Sequence, residues 1–488
     1  MNSEDLSNYV FAKLAEAQKL SRDNTRAEDV PFEHRKTYFQ IEKHVNEFLN
    51  GYIENRFLIM PGLRGIGKTT ILFQIYEYLT KEKGVDADRI LYISVDELST
   101  YLGAKLSEAV DAFVSEIHET SLVHLEKELF ILVDESHYDK EWSKTGKIVY
   151  DQSKKIFLIF TGSSALSFEM NVDAARRIKK EPVFPMNFLE YNILKNKIFP
   201  PDDLSSSLID LIFKGDESSV KYASRKENEM KKNLLNLSKP VEKEWEDYLF
   251  CRDFPFGLNM DRTEVYERVF TLINRVIEKD VFSLKSFNTE SRTTISRIIT
   301  FLALQDPGGT SDAKLATKVG KSPKSIREIL NILEKTHLVF SVKPYGTAGK
   351  MVRKSWKYYF LSPTINAAIR FKLGKYNRRD RKLLGILAET LVASYFFRLK
   401  ETSSMPLGIF YDPAKNGVDF LLQTPDEGMG IIPVEVSIGK EDKSQITRAI
   451  TRYKSEYGIV ISNTTSKIKK EGKVIFIPLV TFFFIQEG

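Results

Sequence analysis

Eight residues, Gly62-Leu63-Arg64-Gly65-Ile66-Gly67-Lys68-Thr69, place glycines, a lysine and a hydroxyl at the spacing G-x-x-x-x-G-K-[ST]. A polyphosphate needs many donors at close range. Glycines let successive backbone N–H groups curl around it, and the helix that follows offers its positive end. Gly62, Arg64, Gly65, Ile66, Gly67, Lys68, Thr69 and Thr70 are therefore the expected nucleotide-binding residues. Lys68 supplies a mobile cation for the β- and γ-phosphates, and the Thr69 hydroxyl is a ligand for Mg²⁺. The cofactors expected are ATP and Mg²⁺.

Such a loop needs acidic partners at the end of a buried strand. The apolar run from Leu129 to Val133 ends in Asp134-Glu135, which assigns Asp134 to the Mg²⁺ shell and Glu135 to the attacking water. A further apolar run, Ile156 to Phe160, ends in Thr161-Gly162-Ser163-Ser164, and the Ser163 hydroxyl is the expected sensor of the terminal phosphate. Arg176 and Arg177 offer guanidinium groups to charge that grows during phosphoryl transfer, in their own subunit or a neighbour's.

A second acidic group lies near the end of the chain. Asp419 and Glu435 are equidistant from Glu427, so a regular hairpin centred there sets them opposite each other, with Cβ atoms about 4.5–5.5 Å apart. Facing carboxylates repel unless a divalent cation or a proton intervenes. Glu389, on a preceding helix, is the expected third metal ligand.

Between Thr336 and Lys382 stand twelve Lys and Arg against one acid, Asp380, a local charge of +11, whereas the whole chain nets only +6. Trp356, Tyr358 and Tyr359 interleave with these cations. Phosphate backbone is the natural counterpart of such a stretch. Lys321, Lys324, Arg327, Lys350, Arg353, Lys354, Arg378 and Arg379 are the candidate nucleic-acid contacts, with packing against a protein partner as the alternative. Further cations at helical spacing follow the hairpin, including Arg448 and Arg452.

Apolar periodicity supplies the elements that must hold these groups. Residues 36 to 53 repeat at helical steps, 57 to 60 form a strand, and 69 to 79 resume a helix; buried strands follow at 90 to 95, 128 to 134 and 155 to 161. Apolar strands alternating with helices predict an α/β fold with a parallel sheet. Residues 200 to 245 turn polar and charged and read as an exposed helical insertion. Ser311 to Val319, a Gly320 turn and a second helix capped by Ser322-Pro323 make a helix-turn-helix, with wing strands at 338 to 342 and 356 to 361. Four segments result: 1–198 with the phosphate loop, 199–285 as a helical lid, 286–362 as a winged helix and 363–488 as a C-terminal α/β domain.

The order of these features resembles the prokaryotic, especially archaeal-type, AAA-like ATPases of the STAND neighbourhood. It rests on the P-loop, the Asp134-Glu135 strand, the Thr161-to-Ser164 strand end, Ala175-Arg176-Arg177 and the Pro185-to-Tyr191 segment. Lys279-Asp280 and Gly385-x-x-x-Glu389 are similar to members that carry a winged helix and a PD-(D/E)XK nuclease-like module. The resemblance implies an ASCE-type ATPase sheet, a homo-oligomer and a C-terminal metal site at Asp419 and Glu435. It also implies a lysine two residues after Glu435, where this chain has Ser437; Lys440 is the nearest substitute.

One cysteine, Cys251, excludes an intramolecular disulfide framework, and the polar N-terminus with apolar runs of only strand length points to a cytoplasmic protein without membrane spans. The expectation is a Mg²⁺-dependent ATPase that couples its cycle to DNA binding and DNA processing. The alternative is an ATP-dependent switch whose winged helix and nuclease-like domain only bind.

Overall fold

The computed structural model describes residues 3–163, 172–281, 289–306, 309–353, 355–403, 406–424, 430–439 and 443–486. The chain divides into two compact units, 1–183 and 184–488.

The first unit is built on a five-stranded sheet in the order Ile90–Ser94, Leu129–Asp134, Ile156–Gly162, Phe57–Pro61, Lys179–Lys180, and every pairing is parallel. Helices cover both faces, which is why the four strands other than the short edge strand Lys179–Lys180 read as apolar runs. One face packs Phe57, Ile59, Ile131, Val133 and Phe160 against Leu106, Val110, Phe113 and Trp142. On the other, Phe48 of helix Lys36–Leu49 meets Phe130 and Phe157 at ring-centroid distances of 5.8 and 5.2 Å. The phosphate-loop strand Phe57–Pro61 lies between strands that come later in the chain. Its carboxyl end is thus a topological switch point, the place where an open parallel sheet leaves a crevice for ligands.

The second unit holds a mixed eight-stranded sheet in the order Lys469–Glu471, Val474–Pro478, Gly458–Ser462, Ile432–Ser437, Phe420–Gln423, Gly408–Tyr411, Val339–Pro344, Lys357–Phe360. The antiparallel pair 420–423 and 432–437 sets Phe420 opposite Val434 and Leu422 opposite Ile432. That is the register required by a hairpin centred on residue 427, and one step further it places Asp419 across from Glu435. Helix Asp312–Val319 is capped by Ser311 and helix Pro323–Lys335 by Ser322 with proline in its first turn, as their residue types dictate. The hairpin after them, Val339–Pro344 with Lys357–Phe360, does not stand alone: Lys343 and Pro344 pair in parallel with Phe410 and Tyr411, so it joins the C-terminal sheet.

Residues 200 to 245 form helices Leu204–Lys214, Glu217–Leu234 and the start of Val241–Cys251. They are not a free-standing insertion. Their apolar stripe packs on the C-terminal segment, where Tyr457 Oη donates to the Ile212 carbonyl at 2.7 Å. Buried Glu227 accepts from the Ile468 N–H at 2.8 Å and from Thr481 Oγ1 at 2.7 Å. The run of exposed charges hid that inner face from a composition-based reading.

Candidate functional site

In the first unit the chain leaves strand Phe57–Pro61 and turns at Gly62. A Cβ there would lie 2.4 Å from the Val183 carbonyl oxygen, so a glycine is required. Gly65 and Gly67 adopt left-handed φ values of +76° and +92°, which a larger residue would resist. Gly67 then caps helix Lys68–Glu77, so the loop runs directly into the helix's positive end. Buried Lys68 folds back on the loop and donates to the carbonyls of Gly62 and Leu63, each at 3.0 Å. The buried Arg35 guanidinium donates to the Ile66 carbonyl at 2.7 Å and ties the loop to the preceding segment.

Sheet order brings the acidic strand end to the same place. Thr69 Oγ1 donates to Asp134 Oδ2 at 2.6 Å, Tyr92 Oη donates to the same oxygen at 3.4 Å, and Thr161 Oγ1 donates to Asp134 Oδ1. Burial and the neighbouring Glu135 push the Asp134 carboxyl above its ordinary range, although Thr161, Thr69 and Lys68 oppose the shift. A buried carboxylate in that state gains from a cation. Glu135 takes a left-handed φ of +52° and faces Arg64 Nη1 at 3.5 Å and His137 Nδ1 at 3.4 Å. Burial, with Arg64 and Lys68 nearby, lowers His137 to about 3, so the ring is neutral.

These residues fit a Mg·nucleotide. Thr69 and Asp134 stand as neighbouring oxygen donors of the kind Mg²⁺ prefers, and Ser163 Oγ is buried at the adjacent strand end without a hydrogen-bond partner. Sequence reasoning chose Ser163 and passed over Thr161, the hydroxyl that contacts Asp134. It also missed Arg35, Tyr92 and His137, which no local motif marks. Arg177 is engaged by Asp151 and by the Asp173 carbonyl, and Arg176 is exposed.

In the second unit Glu389, Asp419 and Glu435 converge. Asp419 Oδ2 accepts the Val436 N–H at 2.9 Å, and Glu435 Oε1 accepts from Gln445 Nε2 at 3.0 Å. Glu435 Oε2 is buried with no partner. Glu389 Oε1 receives Tyr359 Oη at 2.7 Å and Lys357 Nζ at 3.4 Å. Burial and the mutual repulsion of the acids push Glu389 to about 7 and Glu435 to about 9, and burial raises Asp419. The orphaned oxygen of Glu435 and the raised carboxyls fit a cation held by Asp419 and Glu435. Among the described residues no group of three or more His, Cys, Asp or Glu side chains is arranged to hold a metal, and Glu389 Oε1 is taken by its two donors.

Part of the basic stretch is compensated within the unit. Arg378 pairs with Asp247 at 2.6 Å, Lys372 with Glu267 at 2.9 Å and Lys382 with Asp306 at 2.8 Å. Arg327 pairs with Asp312 at 2.7 Å, and its guanidinium lies 4.1 Å from the Trp356 ring centroid. Lys324 and Arg379 are exposed, and Lys321 is half-buried. The side chains of Lys350 and Arg353, and Lys354 and Lys440 entirely, lie outside the described residues.

Residues 54–192 match the family model of an AAA domain, and residues 243–375 match a domain of unknown function, DUF8612. An uncharacterized protein of Methanocaldococcus jannaschii is 33% identical over 444 residues, covering 90% of this chain and 88% of its own length. The chain belongs to that protein's family. An uncharacterized protein of Haemophilus influenzae is 22% identical over 408 residues, covering 82% of this chain and 86% of its own. Among solved structures, the Walker-type ATPase of Pyrococcus abyssi aligns at a TM-score of 0.41 and 17% identity, covering 71% of this chain and 98% of that one. The Aeropyrum pernix ORC1 protein in complex with DNA aligns at 0.32 and 13%, covering 73% and 96%. Geometry and the AAA match together make the first unit an AAA-type P-loop ATPase module. No helix among the described residues is long and apolar enough to cross a membrane.

Proposed function

We propose that the protein is a Mg²⁺-dependent ATPase whose nucleotide cycle governs DNA engagement and phosphodiester hydrolysis at the C-terminal acid cluster. The observation that carries the first half is the 2.6 Å contact between Thr69 and Asp134, which unites the phosphate loop with the acidic strand end. Bound Mg²⁺ would offset phosphate charge there. Lys68 would leave the Gly62 and Leu63 carbonyls for the phosphate oxygens, Asp134 and Thr69 would hold the metal, and Glu135 would orient the water. Arg176 or Arg177 would complete the site of a neighbouring copy in a homo-oligomer.

The orphaned Glu435 Oε2 carries the second half. In hydrolysis of a phosphodiester, a water oxygen bonds to phosphorus, one P–O ester bond breaks with its electron pair on the leaving oxygen, and water's proton ends on that oxygen. Asp419 and Glu435 would hold the divalent cation that such a site needs. In the winged-helix reading of residues 286–362, Lys321 and Lys324 would grip DNA, joined by Arg379 of the segment that follows, while Arg327 and Arg378 are held by their acids.

ATP turnover is tested with wild type, Lys68→Ala and Glu135→Gln. Lys68→Ala should lose nucleotide binding, and Glu135→Gln should keep binding and stop turnover; equal hydrolysis by all three proteins refutes the assignment. Plasmid nicking in Mg²⁺ or Mn²⁺ by wild type and Glu435→Ala tests the second half. Absence of metal-dependent nicking in wild type leaves an ATP-driven switch that only binds.

A further inference from the structure

The acid cluster receives a cation from outside the hairpin that carries its acids. Lys357 opens the edge strand Lys357–Phe360, and its side chain is only 13% exposed. Tyr359 lies two residues on and so points to the same face of that strand. The two residues converge on one oxygen, Glu389 Oε1, at 3.4 and 2.7 Å. The Lys357 ammonium also lies 5.6 Å from the Tyr411 ring centroid. An ammonium has three protons, and Glu389 takes one direction of the three. Lysine suits a buried phosphate contact as a compact point charge on a flexible stem.

We propose that Lys357 is the cation this cluster presents to a phosphodiester, and that Glu389 is a positioning residue for Lys357 rather than a metal ligand. The inference rests on the phosphodiester reading of the C-terminal site. Ser437 has no charge with which to meet the anionic phosphate, and Asp419 and Glu435 repel it. A phosphate that gains negative charge as the water oxygen bonds and the ester oxygen leaves needs a positive group aimed at its non-bridging oxygens. Lys357 reaches the cluster through main-chain pairing: its strand pairs with Val339–Pro344, which pairs with Gly408–Tyr411, next to the hairpin that bears Asp419. The ammonium is thus carried on a sheet strand rather than on a loop. Glu389 fixes its height above the sheet.

The test compares wild type, Lys357→Met, Lys357→Arg and Glu389→Gln, each first shown to melt as a folded protein. Three quantities are read: plasmid nicking in Mg²⁺, Mn²⁺ affinity by calorimetry, and the salt dependence of affinity for a short DNA duplex in Ca²⁺. Lys357→Met is expected to slow nicking on the order of 100-fold, the cost of losing one preorganised group at a developing charge. Its Mn²⁺ affinity should stay within about threefold of wild type, and the log–log salt slope should fall by about one. Lys357→Arg should recover most of the lost nicking. Glu389→Gln should behave as Lys357→Met does. Lys357→Met that nicks at the wild-type rate with an unchanged salt slope overturns the inference and leaves the nuclease reading standing. Loss of Mn²⁺ binding in Glu389→Gln overturns the positioning role. Wild type that never nicks defeats the cleavage reading, and the salt slope alone then decides whether Lys357 meets phosphate.

Discussion

Replacing Glu435 with glutamine should make the second unit more stable when no metal is present. The carboxyl titrates near 4.5 in an unfolded chain and is raised to about 9 in the fold, chiefly by burial and by Asp419 and Glu389. The folded state therefore holds a proton that the unfolded chain releases. Between those two values stability falls as pH rises, by about 1.36 kcal/mol per pH unit for an isolated group. At pH 7 the interval is about 2.5 units, and with protons shared among Glu435, Asp419 and Glu389 the effect is on the order of 2 kcal/mol. Glutamine keeps the Gln445 contact and removes the titration. Guanidinium denaturation in EDTA at pH 5, 6, 7 and 8 should show the two proteins alike at pH 5 and diverging steadily above it. Adding Mg²⁺ at pH 8 should stabilise wild type and not the variant. Curves that stay parallel across this range would refute the argument that buried carboxyl repulsion is stored at this site.

His44 is buried between Glu47 and Glu181, with both ring nitrogens at 3.0 Å, and these carboxylates raise its affinity for a proton against the opposing effect of burial. Its contribution should be complete below pH 6.5 and lost as pH rises through the raised value, so His44→Gln should cost on the order of 2 kcal/mol at pH 6 and much less at pH 9.5 in denaturant titrations. A Cβ on Gly146 would sit 2.3 Å from the Phe57 ring, so Gly146→Ala should destabilise the first unit by about 1–3 kcal/mol, read as a lower melting temperature. Thr161→Val removes a donor to Asp134 and should weaken Mg·ATP binding about 10-fold or more by calorimetry, leaving Mg²⁺-free nucleotide binding nearly unchanged.

The phosphate loop was legible because its chemistry is local: glycine conformations and a helix start are written into eight consecutive residues. The acid hairpin was legible by arithmetic, since period-two pairing fixes Asp419 against Glu435 once the turn is centred. The two helices Asp312–Val319 and Pro323–Lys335 were announced by Ser311, Gly320, Ser322 and Pro323. Hidden were the long-range partners. Nothing near Arg378, Lys372 or Lys382 in sequence shows Asp247, Glu267 and Asp306 beside them, so the basic stretch looked more exposed in charge than it is. Thr161 and Ser163 are equivalent as polar residues at a strand end, and only strand direction selects which one meets Asp134. Lys357 read as one of many cations because its hairpin reaches the acid cluster only through the pairing of Lys343 with Phe410, which is set by tertiary contacts.

That pairing has a mechanical outcome. Because the hairpin following helix Pro323–Lys335 is stitched by main-chain hydrogen bonds into the sheet that carries Asp419 and Glu435, that helix is joined to the acids through paired strands rather than through a linker alone. If the proposed DNA engagement holds, a duplex seated on that helix would meet the carboxylates at a constant offset, as along a ruler, and lengthening residues 345 to 356 should leave the offset unaltered.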